Sequence, residues 1–509
     1  MLRRNSPIIA DERASMGGGA SGLSALMTSP DKTAVASGDW SAPATWGGTA
    51  PVAGENVLIP TGIDVTYDLN SADALGWVRI DGVLRWSKTA TTLMVVHTIL
   101  GTKTSYLEMG DPVTPLTGSA TVRFRDTALL VGDMMEMSLG LISTGRVMMR
   151  GKVLGAPFAR STGAISAGSS TVVTMTDAAN VAGWEVGDEV YIPPTDGRDD
   201  TGASTTKTTI TAISGANVTL ATTLAHPARA AVTNAATGRV ASRAGYVANM
   251  TRSITFESEN PSGTRGHVML AHGRHPSNRL CPRTDSQGEH RKYPDRAALA
   301  KNADPGVDVR WVAFNDLGRT QALASPQVGQ AGNLAGRYAF HLHRVGHWSM
   351  DPVQVQGCVV KGARIWGFVQ HDTHANFDWC IATRATGSGM ICEDDTEFGD
   401  WTRNFIFDIQ SGSGDGEDVF NGHGRLGEAY TPNRHIRMRS NIAASCSFGI
   451  HLYLNEVDPS VRVADISQTP SSPRFAAMGR NPDIQGVIRS TGLPVPVAFP
   501  KNEDPNLGT

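Results

Sequence analysis

Three segments carry ionisable side chains at matched places after a glycine. They are Gly336-Arg-Tyr-Ala-Phe-His-Leu-His, Gly367-Phe-Val-Gln-His-Asp and Gly389-Met-Ile-Cys-Glu-Asp-Asp. The fifth residue past the glycine is His341, Asp372 and Asp394, with His343, His371, Glu393 and Asp395 beside them. Stacked on one face, Asp372, Asp394, Glu393 and His341 form a catalytic set for glycoside cleavage. One carboxylic acid would protonate the leaving oxygen and a second would act as base or nucleophile; the order of roles stays open. His343, His371 and Asp395 would hold substrate or tune a carboxylate. Arg337 would grip a substrate carboxylate through its guanidinium fork. The plainer reading of each Asp or His, taken alone, is a hydrogen-bond former at a chain corner.

The same residues allow metal chemistry. His341 and His343 share one face of a strand, and carboxylates from neighbouring segments would complete a site. The loop from Ser411 to Asp418 offers Asp415, Glu417 and Asp418, oxygen ligands suited to Ca²⁺. It lacks EF-hand spacing, and a solvated turn is the simpler account. The basic loop 273–305 would attract a polyanion or be an ordinary surface loop. His267 and His272 point to opposite faces of a regular strand, so at least one is structural.

A column of this kind needs stacked strands. The 509 residues include 55 Gly, and 18 % are charged, below the roughly 25 % of average domains. Short runs of period-2 alternation, such as 63–69, 77–86, 91–101 and 120–126, are punctuated by Gly, Asp and Asn, the signature of strands. Residues 213–218 read as a hairpin turning at Ser214–Asn217. The texture divides the chain into a flexible leader (1–36), a first β domain (37–150), a β-rich connector (151–245), a repetitive β region (246–460) and an extended tail (461–509). In the repetitive region Cys358 and Cys380, Gly367 and Gly389, and Asp372 and Asp394 share a spacing of 22. That period fits a parallel β-helix with one coil per repeat. Neighbouring coils lie about 4.8 Å apart and residues i and i+2 about 6.5–7 Å. Adjacent coils therefore supply the carboxylate separations of retaining enzymes, about 5–5.5 Å, or inverting ones, about 6.5–9.5 Å.

Composition also excludes. With 45 Lys+Arg against 48 Asp+Glu, a net charge of −3 argues against nucleic-acid binding driven by global charge. No run approaches the roughly 20 apolar residues of a membrane span. Five cysteines without CxxC spacing describe neither a disulfide scaffold nor a structural zinc site. Cys358 and Cys380 would stack as a ladder or bridge adjacent coils. Trp40, Trp46, Trp77 and Trp86 read first as core, and otherwise as sugar-stacking platforms.

The segments WSAPATWGGTAPVAGENVLIPTGIDVTYDL (40–69), GWVRIDGVLRW (76–86) and LMVVHTILG (93–101) resemble the G8 domain of the cell-migration-inducing and transmembrane hyaluronidases and of fibrocystin. GWEVGDEVYIPPTD, TTITAISGANVTL, VANMTRSITFES, RGHVMLAH, VAFNDLGR, GRYAFHLHRVG and the acidic 393–395 are similar to that family's later segments and keep its order over 38–460. The resemblance implies an all-β protein: a G8 domain, a β-rich connector and a right-handed parallel β-helix. It implies an extracellular or cell-surface location and an acidic polysaccharide such as hyaluronan as partner, cut by endo-hydrolysis. No cofactor is certain; Ca²⁺ at the 411–418 loop is the candidate the residues offer. Two rivals stand: a non-catalytic carbohydrate-binding or adhesion protein, and a polysaccharide lyase with His341 and Arg337 at its centre.

Overall fold

A computed structural model describes residues 22–163, 168, 171–194, 205–224, 232–233, 235–238, 240–241, 245–271, 306–321, 331–345, 351–371, 373–393, 397–411, 424, 427–433 and 436–451. Expected features at Asp372, Asp394, Asp395, Asp415, Glu417, Asp418, His272, Cys281, the loop 273–305 and the tail lie outside these residues.

The alternating runs form short strands that pair in parallel with the run one coil away. One ladder holds 38–39, 64–67, 83–86, 106–109, 146–150, 307–310, 353–356, 375–378, 399–402 and 436–439. Strands 32–33 and 57–59 lead into the long strands 70–80 and 91–101, after which the sheet forks. Residues 91–96 pair with 119–124, and 98–101 pair with 140–143. One branch continues through 254–258, 312–315, 359–361, 381–383, 405–407 and 442–444. The other continues through 267–270, 340–343, 366–371, 388–392, 428–431 and 448–450. We call these three the corner ladder, the covered ladder and the histidine ladder. Together they wind a parallel β-helix.

Period-2 alternation turns every second side chain inward, where it meets its equivalent in the next coil. Phe124, Phe256 and Phe314 stack with ring centroids 6.4 and 5.7 Å apart. One apolar core runs from Ala34 to Ile436. Trp40, Trp46 and Trp86 belong to it, while Trp77 is buried in a smaller cluster outside it.

From residue 307 onward the turn from corner ladder to covered ladder is tight and repeats one device. A single residue takes positive φ: Trp311 (59°), Gly357 (64°), Trp379 (57°), Arg403 (54°) and Ser440 (53°). That conformation costs a non-glycine residue about 1–2 kcal/mol. In four of these corners the next side chain ties the turn together: Cys358, Cys380, Asn404 and Asn441. Asn404 Oδ1 accepts from the Cys380 amide at 2.9 Å, and its Nδ2 donates to Phe377 O and to Asn441 Oδ1. The two cysteines are buried and unbridged, with Sγ of Cys358 facing Val309 O at 3.4 Å. Of the two arrangements expected for them, the ladder is the one formed.

The ladders do not break at residue 150 or 246. The first β domain and the repetitive region share sheets and core, because strand 146–150 pairs with 307–310 and strand 140–143 pairs with 267–270. Within the segment expected as a leader, residues 22–36 depart from that reading. Lys32 and Thr33 pair with Val57 and Leu58, and Leu23 and Met27 pack on Trp77, Leu100 and Ile142. The connector is an inserted six-stranded antiparallel sheet, 158–160, 246–249, 189–192, 206–214, 217–220 and 172–174. Its hairpin turns between Ser214 and Asn217. One face holds its own core of Val173, Trp184, Val190, Ile210 and Val218. The other brings Phe158, Tyr191 and Met250 onto Ala313, Val359, Ile381 and Phe405, the outer side of the covered ladder. Among the described residues no helix is long and apolar enough to cross a membrane.

Candidate functional site

The outward side chains of the histidine ladder gather four of the expected site residues. In strand 340–343, Phe340 and Leu342 point into the core, so His341 and His343 point out. The register pairs His343 with His371 and His341 with Val369. The next coil pairs Val369 with Ile391 and Gln370 with Cys392, which sets Glu393 beside His371.

This register corrects one expectation. Glycine alignment puts His341 level with Asp372, whereas the ladder sets it level with Val369. Core side chains decide: Phe340 over Phe368, and Phe368 over Met390. The offset of 22 holds between 366–370 and 388–392. It fails for the coil before, whose path from one ladder to the next is longer.

The three imidazoles converge. Ring centroids lie 5.1 Å apart for His341 and His343, 4.6 Å for His343 and His371, and 5.8 Å for the stacked His341 and His371. One ring nitrogen from each falls within 4.8 Å of the others. Glu393 Oε2 sits 3.1 Å from His371 Nδ1 and 3.4 Å from His341 Nε2. Its other oxygen accepts from the Tyr338 hydroxyl at 3.0 Å. His341 Nδ1 lies 2.9 Å from Gly336 O, a carbonyl that only accepts, so Nδ1 carries the proton. All three histidines are buried, and Glu393 keeps 13 % of its side chain exposed. Burial raises the Glu393 pKa, but the neighbouring His371 and His341 outweigh it and hold the carboxyl well below its ordinary range. The donor set of three imidazoles and one carboxylate fits a transition-metal ion.

The same chain segment leads into a cleft of about 450 Å³ whose lining includes Arg319, Arg337, Arg364 and, among the described residues, a single carboxylate, Glu136. Volumes of about 300–1,000 Å³ are usual for ligand pockets. Arg337, expected to hold substrate, has much of its guanidinium on main chain, donating to the carbonyls of Met135, Ala335 and Glu136. Arg364 donates to Gly263 O at 2.6 Å. Arg319 donates to Leu139 O at 2.7 Å and faces His267 Nδ1 at 3.2 Å. Its pKa is pushed down to about 9, first by burial and then by Arg337. Arg319, Arg364 and Tyr338 are the residues that sequence reasoning did not single out. Their signal was faint: Tyr338 is next to Arg337, and Arg319 closes the VAFNDLGR segment.

No curated protein matches the chain. Solved structures that it resembles include the Gp54 tailspike of Acinetobacter baumannii bacteriophage AP22 in complex with A. baumannii capsular saccharide. The identity is 11 % and the TM-score 0.16, over 71 % of this chain and 53 % of that one. The tailspike gp49 from Pseudomonas phage LKA1 matches at 11 % identity and TM-score 0.17, over 75 % and 64 %. The Pseudomonas phage phi297 tailspike gp61 matches at 10 % and 0.15, over 81 % and 65 %. The chain thus spans between half and two thirds of the length of these tailspikes. Residues 45–156 match the G8 domain family. The chain carries a G8 domain, and that domain forms early coils of its parallel β-helix.

Proposed function

We propose that the chain binds an acidic polysaccharide of the hyaluronan class in the arginine-lined cleft and cuts it by endo-hydrolysis. The observation that carries this reading is the three guanidinium groups of Arg319, Arg337 and Arg364 set around a cleft with one carboxylate among the described residues. Fixed cations in a concave, partly desolvated wall raise the local concentration of a polyanion. Asp372, Asp394 and Glu393 supply the carboxyl groups from which the acid and the base or nucleophile are drawn. His341, His343, His371 and Asp395 orient substrate or tune those carboxyls. The G8 resemblance supports the same substrate class and an extracellular or cell-surface setting.

The test is product sizing of hyaluronan, chondroitin and bacterial acidic polysaccharides after incubation with the full chain. Shortened chains, lost in Asp394→Asn with the fold intact by circular dichroism, support hydrolysis. An absorbing unsaturated product would replace hydrolysis with elimination. Intact polysaccharide that co-elutes with the protein would leave binding alone. Arg364→Ala, a partly exposed position, weakens retention several-fold at low salt and less at high salt, since screening shortens the reach of the charge.

A further inference from the structure

Two polar atoms face each other in the histidine cluster in a way that neutral chemistry does not satisfy. Because His341 Nδ1 donates to Gly336 O, Nε2 of the neutral ring presents a lone pair. That lone pair points at Glu393 Oε2, 3.4 Å away. Neither atom has a hydrogen-bond partner among the described residues, although both are shielded from solvent. A lone pair against a carboxylate is repulsive, and a buried polar atom without a partner costs about 1–3 kcal/mol. A cation between them removes both penalties.

The spacing identifies the kind of cation. Metal–nitrogen and metal–oxygen bonds of about 2.0–2.1 Å in a tetrahedron place neighbouring ligand atoms about 3.3–3.4 Å apart. Glu393 Oε2 is 3.4 Å from His341 Nε2 and 3.1 Å from His371 Nδ1, and His343 contributes the third imidazole of the group. We propose that His341, His343, His371 and Glu393 bind one divalent first-row transition ion of the Zn²⁺ class. The outer contacts agree: the His341 Nδ1 bond to Gly336 O fixes its tautomer, and the Tyr338 hydroxyl fixes the second oxygen of Glu393. Such second contacts orient ligands in metal centres. Ca²⁺ is the wrong ion here, because it takes six to eight oxygens and the cluster offers three nitrogens and a carboxylate. The proposal stands without the polysaccharide reading. Where both hold, Glu393 is a ligand and Asp372 and Asp394 remain as the proton carriers.

The experiment uses the full chain without an affinity tag. Metal content after purification is measured by mass spectrometry, and the chelator-stripped protein is then titrated with Zn²⁺ against a chromophoric chelator. One equivalent per chain is expected, with a higher melting temperature on reloading and visible d–d absorption when Co²⁺ is used. His371→Gln and Glu393→Gln each lower the affinity at least 10-fold, while His451→Gln keeps the full equivalent. Circular dichroism checks the fold of each variant, so a misfolded one is set aside for the other. A folded wild-type chain that takes up no ion, and whose melting is unmoved by Zn²⁺, Co²⁺, Mn²⁺ or Fe²⁺, overturns the proposal. So does stoichiometric binding that survives both ligand substitutions.

Discussion

At the scale of single residues, burial decides what each ionisable group does. His267 is fully enclosed, its Nδ1 beside the Arg319 guanidinium. Burial, then Arg319 and Arg337, push its pKa well below 6.5. The unfolded chain therefore takes up a proton on His267 as pH falls through about 6.5, and the folded chain does not. The stabilisation is complete above that pH and is lost below it, by up to about 1.4 kcal/mol per pH unit. Urea midpoints at pH 7.5 and 5.5 check this. The wild type should drop more between the two than His267→Gln does; equal drops would mean that His267 is protonated in the fold. His97 shifts in the same direction and is common to both proteins, so the difference isolates His267. The histidines and Glu393 were legible as ionisable neighbours in sequence. Their grouping was not, because it depends on how many residues each coil uses between ladders, and a glycine does not report that number.

At the scale of elements, the 22-residue offset was readable because the coil containing Cys358 and Gly367 and the one containing Cys380 and Gly389 have turns of equal length. The tight corner itself was not, since its positive-φ residues are Trp, Arg and Ser as well as Gly and share no side-chain chemistry. What recurs is the residue after them. Asn404→Ala removes three hydrogen bonds and strands the Cys380 amide and Phe377 carbonyl, for an expected loss of about 1–3 kcal/mol in chemical denaturation. A stability within error of wild type would mean that the corner holds without its asparagine ladder. Cys358 and Cys380 are free thiols with Sγ on main-chain carbonyls. Mass spectrometry after alkylation should find both unmodified in the native protein and both modified after denaturation without reductant. Protection that persists in denaturant would reveal a bridge.

At the scale of the molecule, the sequence texture separates a G8 part from a repetitive part, but hydrogen bonding joins them. The reason is that both sides of the connector carry strands of the same ladders, and local composition does not show which strands will pair across an insertion. Ile99 in an early coil and Phe368 in a late one belong to one core. Ile99→Ala should cost about 2–5 kcal/mol and Phe368→Ala about 3–5 kcal/mol. Calorimetry should show both lowering the main transition; a separate low-temperature peak with Ile99→Ala alone would restore the G8 part as an independent unit. The short corner between corner and covered ladders has a further consequence. In the coils from 307 to 444 that edge never spends more than two residues on its bend, whereas the stretches around the histidine ladder range from a few residues to the long runs 316–339 and 408–427. One edge of the coil acts as a spine with fixed stitching, and the other tolerates insertions without disturbing it. A lineage could therefore exchange the segments beside the histidine ladder while inheriting the same frame, so that the surface they build diversifies faster than the architecture.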